Sequence, residues 1–84
     1  GGRASLIEVT LATGSPAADR ELAELDFPRD STCVAVLRHD RVIVPRGDTR
    51  LLPGDEVLVL ATDESMDEVR EILTERSGAD GAAS

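Results

Sequence analysis

The chain has 84 residues, 40% of them hydrophobic, one aromatic residue (Phe27) and a formal net charge of −8. A chain this short makes one domain, buries only roughly 60% of its unfolded surface and must build its core from aliphatic side chains. The acidic balance excludes nucleic-acid polymers and anionic membrane surfaces, which need a basic face. No apolar run reaches the ~20 residues of a membrane span, and nothing resembles a signal peptide.

Gly1 to Ala4 reads as a leader or tag remnant. The first residue is Gly and the sole methionine is Met66, so the expectation is a fragment or a processed product. Ser5 to Ala12 alternates Ile7, Val9 and Leu11 against Glu8 and Thr10, the period of a half-buried strand. Thr13-Gly14 breaks it. Ser15 and Pro16 then have the chemistry of an N-cap and a first helical residue. The predicted helix runs to Leu25 or Asp26, with Ala18, Leu22 and Leu25 on one narrow apolar face. Asp26-Phe27-Pro28 ends it, because the residue before Pro avoids the helical region.

Three apolar blocks follow, rich in β-branched residues: Cys33 to Arg38, Arg41 to Pro45 and Glu56 to Leu60. They read as strands. His39-Asp40 is a tight corner, and Arg46-Gly47-Asp48-Thr49 and Pro53-Gly54-Asp55 carry turn residues. Connections this short predict antiparallel neighbours, a β-meander. Ser65 and Glu68 have capping-box spacing and open a second helix. Its stripe is Met66, Val69, Ile72 and Leu73, and it is predicted to end near Arg76 before Ser77-Gly78. Residues 77–84 are small and polar and are expected to be a disordered tail, leaving 5–76 as the domain.

The predicted fold is α+β, in the order β-α-β-β-β-α: a four-stranded, mostly antiparallel sheet with two helices on one face. Cys33 to Leu37 and Val57 to Ala61 are apolar at odd and even positions alike. A strand with one wet face should alternate. Both faces are therefore expected to be covered, the second by another subunit, which predicts a homodimer.

Chemistry-bearing residues are few. There is no Ser/His/Asp set, no oriented Cys/His pair and no Gly-rich phosphate loop, so no enzyme activity is expected. One cysteine cannot form an internal disulfide, which fits a reducing compartment, and Cys33 reads as a small strand residue. His39 stands alone at a corner, and no metal site is expected from it. Asp63, Glu64, Asp67 and Glu68 could hold calcium, although a helix N-terminus favours acidic residues in any case. Residues 29–50 hold five arginines against three aspartates, a net of +2, so the rest of the chain carries −10. Arginine, with no lysine present, is the residue suited to bidentate phosphate contacts.

Ser15-Pro16-Ala17, Glu24-Leu25, Val34 to Arg38, Val42 to Pro45, Gly47-Asp48-Thr49 and Pro53 to Leu58 occur in an order that resembles the TrkA C-terminal domain. That is the C-terminal lobe of the RCK regulators of potassium channels, potassium transporters and cation/proton antiporters. The resemblance covers about residues 5–75. It implies the β-α-β-β-β-α fold, dimerisation, and a small regulatory ligand held between two subunits, with cyclic di-AMP as the candidate. It also implies a cytoplasmic place, peripheral to a membrane-embedded channel, transporter or antiporter. The Gly-rich turn of the family's nucleotide-binding lobe has no counterpart here. By resemblance, the ligand site maps onto Leu22, Ala23, Asp26, Phe27, Pro28, Arg29, Cys33 and Val34. Two copies of Arg29 across a dyad would meet two phosphates, and Phe27 and Leu22 would pack on adenine. Some binders carry Arg where this chain has Pro28, with Arg29 beside it. The alternative is a purely structural dimerisation module with no small ligand.

Overall fold

The computed structural model describes residues 3–74. Its strands are β1 (Ala4–Thr10), β2 (Ser31–Arg38), β3 (Arg41–Ile43) and β4 (Glu56–Thr62), followed by a 3-10 turn, Asp63–Ser65, and helix α1 (Met66–Leu73). They form one antiparallel sheet in the order β1-β4-β2-β3. The architecture is α+β, as expected. Ala4, expected in the leader, is already the first residue of β1. The predicted tail lies outside the described residues.

Two expectations about the architecture are corrected. The strands are not a meander, because among the described residues β3 pairs with β2 alone and β4 inserts between β1 and β2. The connection from Ile43 to Glu56 spans the breadth of one strand and returns the chain to the centre of the sheet. Its two turn motifs are parts of one long crossing, not two tight hairpins. Burial explains the choice. β4 carries Val57, Val59 and Ala61, all at most 1% exposed, and a strand with that apolar load belongs in the middle.

The second correction is the first helix, which does not form. Residues 16–19 make turns, Asp19 adopts φ 66°, and only a 3-10 turn at Leu22–Glu24 remains helical. Backbone donors of this segment go to a distant partner instead. Asp19 N–H donates to Leu51 O (2.7 Å), Leu22 N–H to Thr49 O (2.9 Å) and Ala23 N–H to Gly47 O (2.8 Å). Leu51 N–H donates back to Arg20 O (2.9 Å), and Glu21 and Arg50 form an antiparallel bridge. A residue can satisfy its N–H once, and here the long loop took it. Of the predicted apolar face, Leu22 and Leu25 do pack on the core, but Ala17 rather than Ala18 is the fully buried alanine.

The core lies on one sheet face. The pairs Ile7–Val59 and Val9–Val57, with Val36 of β2, pack under Val69 and Leu73 of α1, and Leu11 and Leu51 are buried in the same core. Ser15 ties the two covering segments together: its hydroxyl donates to Leu73 O (2.8 Å) and accepts from Ala17 N–H (3.0 Å). Ser65 caps α1 by position but makes no side-chain capping bond, so the predicted capping box is absent. Its hydroxyl instead accepts from Thr62 Oγ1 (3.1 Å). The helix ends at Leu73 rather than near Arg76, with the Thr74 N–H and hydroxyl both turned back onto Arg70 O.

The other face is left open by the described residues. Leu6 (56% exposed) sits opposite Leu60 (41%), and Val42 (68%) sits opposite Leu37. The unbroken apolar run in β2 has a second cause. A β-bulge between Cys33 and Ala35 breaks the period, so Cys33 and Val36, three apart, both join the core. Continuous hydrophobicity there reflects a register slip as well as an open face.

Candidate ligand-binding site

The concavity nearest the expected site is a groove of about 300 Å³ beside the 3-10 turn at Leu22–Glu24. Of the eight residues mapped from sequence, it gathers four: Leu22, Ala23, Phe27 and Cys33. Phe27 and Leu22 also pack against the core, so they form an apolar floor fixed from behind. Ser31 and Thr32, at the start of β2, and Pro45, Arg46 and Gly47, from the long connection, complete the lining. Sequence order hid this second group, because β3 separates it from Phe27. Only the pairing of residues 19–23 with residues 47–51 brings the two segments together.

The other four mapped residues go elsewhere. Asp26 faces a different groove, between the 16–26 segment and α1, with Arg20, Glu24, Glu68 and Glu71. Arg29 opens onto a third concavity with Asp30, Ala4 and Leu60. Pro28 shapes the turn into β2: its carbonyl accepts from the Ser31 N–H (3.1 Å) and hydroxyl (2.7 Å). Val34 sits at the bulge and is 43% exposed. Arg29 and Phe27, both mapped by the resemblance, thus line separate concavities within one chain. The cation lining the Phe27 groove is Arg46.

The Arg46 loop is held on both sides. Arg46 N–H donates to Thr49 Oγ1 (2.8 Å), and Thr49 N–H donates to Arg46 O (3.0 Å). Gly47 and Thr49 then accept from Ala23 and Leu22. Cys33 adds no reactivity to the site. Burial pushes its thiol up, against a smaller opposing effect of a backbone hydrogen bond to Ala35. The groove can take a ligand with a flat apolar part and an anionic part.

A different cluster holds the long connection to the sheet. Arg38 Nε donates to Asp55 Oδ1 (2.8 Å) and Nη2 to Oδ2 (2.7 Å), while Nη2 also reaches Arg50 O (2.9 Å). Asp55 is 1% exposed, and Oδ2 accepts from Leu52 N–H as well (2.8 Å). Arg38 and Asp55 are thus structural residues. The acidic residues Asp63, Glu64, Asp67 and Glu68 do not converge: among the described residues there is no cluster of His, Cys, Asp or Glu able to hold a metal ion. Among the same residues, no helix is long and apolar enough to cross a membrane.

Residues 6–74 match the TrkA-C domain family model. This chain belongs to the TrkA-C domain family. The TrkA-C domain described here is 40% identical over 72 residues to the Trk system potassium uptake protein TrkA of Mycobacterium tuberculosis, covering 86% of this chain and 33% of that protein. A TrkA homolog of Archaeoglobus fulgidus is 31% identical over 73 residues, which cover 87% of this chain and 17% of that protein. The chain thus spans a third or less of the length of these relatives. Among solved structures, one described as an RCK domain with cda superposes with a TM-score of 0.68 at 33% identity, covering 82% of this chain and 97% of that chain. The four-stranded α+β architecture of this TrkA-C domain is the one that neighbour shares.

Proposed function

We propose that this TrkA-C domain is the ligand-sensing part of a regulator of potassium or cation transport, and that it binds cyclic di-AMP at a homodimer interface. It acts on the cytoplasmic side, peripheral to a membrane-embedded channel, transporter or antiporter. The observation that carries the reading is the groove of Leu22, Phe27 and Arg46, an apolar floor with an arginine in its lining. Such a floor suits an adenine face, and such an arginine suits a phosphate. The neighbouring RCK domain with cda, which we read as cyclic di-AMP, supports the same ligand class. Two grooves related by a dyad match a ligand that itself has two-fold symmetry and two phosphates. Binding would bias the dimer toward whichever geometry holds the ligand more tightly, and only by that difference in affinity.

Titration calorimetry with cyclic di-AMP tests this reading. Heat saturating at one ligand per dimer supports it, and absence of heat across a panel of adenine nucleotides overturns it.

The open sheet face favours a second reading, a structural dimerisation module without a small ligand. Leu6, Leu60 and Val42 stand exposed there. Sedimentation showing a ligand-independent dimer that no nucleotide perturbs would support it over sensing.

A further inference from the structure

We propose that Arg46, and not Arg29, is the residue that contacts the phosphate of the ligand, a specificity role set by the loop of residues 46–49. This inference rests on the groove being the nucleotide site. Four observations carry it. First, among the described residues the groove lining contains one cation, Arg46, and no carboxylate, in a chain of net charge −8. The groove beside α1 is its opposite, with Glu24, Asp26, Glu68 and Glu71 around Arg20. An anion is therefore drawn to one groove and repelled by the other.

Second, the guanidinium is uncommitted. Among the described residues the salt bridges are Arg38–Asp55 and Arg50–Glu21, and Arg46 takes part in neither. Its hydrogen bonds there run through the backbone alone. Arginines 38 and 50 are spent on structure. Third, Arg46 is preorganised at its base. The bonds between Arg46 and Thr49, and from Ala23 and Leu22 to Gly47 and Thr49, fix its Cα against the groove wall. An anchored base lowers the ordering cost of binding. Fourth, Arg29 is beside Asp30 in a separate concavity and has no place in the lining that holds Phe27.

The experiment is titration of the full chain with cyclic di-AMP, comparing wild type, Arg46→Gln, Arg46→Lys and Arg29→Gln. Loss of one charge-assisted hydrogen bond weakens binding by about tenfold to a hundredfold. Arg46→Gln is expected to show that loss, with an unchanged melting temperature because its side chain holds nothing within the described fold. Arg46→Lys recovers part of it, since a point charge replaces a fork. Arg29→Gln stays within about twofold of wild type, the usual effect of an exposed charge. Neutral adenosine, lacking the phosphate, should bind wild type and Arg46→Gln alike. Wild-type binding that survives Arg46→Gln but is lost in Arg29→Gln overturns this assignment and leaves the sensing function standing. No binding by wild type overturns both, and the two failures are told apart by that first titration.

Discussion

Arg38 at the end of β2 and Asp55 just before β4 form a two-pronged ion pair, 2.8 and 2.7 Å, that fastens the returning connection to the strand it has crossed. Asp55 is nearly inaccessible, and it also holds the Leu52 N–H across the Pro53-Gly54 turn, where Gly54 takes φ 91°. One carboxylate thus fixes both the turn and the position of the central strand. Asp55→Ala strands a guanidinium and an N–H together. We expect a loss on the order of 3 kcal/mol, read as a lower denaturant midpoint with an unchanged slope.

The same pair sets an acid limit. Burial alone pushes the Asp55 carboxyl up. The Arg38 and Leu52 hydrogen bonds and the charges of Arg38 and His39 outweigh it and hold it below the ordinary 3.8. As pH falls, the unfolded chain therefore takes up this proton first. The contribution is complete above 3.8 and is gone below the folded value. The stability difference between wild type and Asp55→Asn should be flat at neutral pH and shrink through that acid window. A difference that grows on acidification would contradict the sign.

Glu56 behaves in the opposite sense. Its carboxyl is raised above the ordinary 4.5 by the hydrogen bond and charge of Glu8 beside it. A raised acid group weakens the fold when ionised, so Glu8→Gln should raise the melting temperature at pH 7. The gain should fade as pH falls through the folded value of Glu56, which lies above 4.5. Melting curves at matched salt check this, and salt should itself reduce the gain.

Ser15 bridges two covering segments at 7% exposure. Ser15→Ala leaves the Ala17 N–H and the Leu73 carbonyl without their partner. Each such group costs about 1–3 kcal/mol when buried. Hydrogen exchange should show the amides of α1 losing protection, because its C-terminal end is what the hydroxyl holds.

The hairpin between β2 and β3 turns on His39 (φ 52°) and Asp40 (φ 64°), both in the left-handed region. That is the geometry in which Asn-Gly is preferred. Replacing His39-Asp40 by Asn-Gly should stabilise the domain by about 0.5–1 kcal/mol, measured by chemical unfolding. No change would mean that the edge strand contributes nothing to the cooperative unit.

The sequence by itself determined what is local. Alternation of Ile7, Val9 and Leu11 specified β1, the β-branched blocks specified β2 to β4, and the stripe through Val69 and Leu73 specified α1. These periods depend on neighbours a few residues away, so they are legible in one dimension. Part of the candidate site was legible too, through Leu22, Ala23, Phe27 and Cys33. What the tertiary structure decided is which distant backbone satisfies which. Residues 19–23 carry helix signals, yet their N–H groups are taken by Leu51, Thr49 and Gly47, and the helix gives way. The same pairing carries Arg46 to Phe27 and leaves Arg29 outside the groove. Strand order followed the same logic: β4 took the centre because its buried valines needed neighbours on both sides, and adjacency in the chain could not supply them.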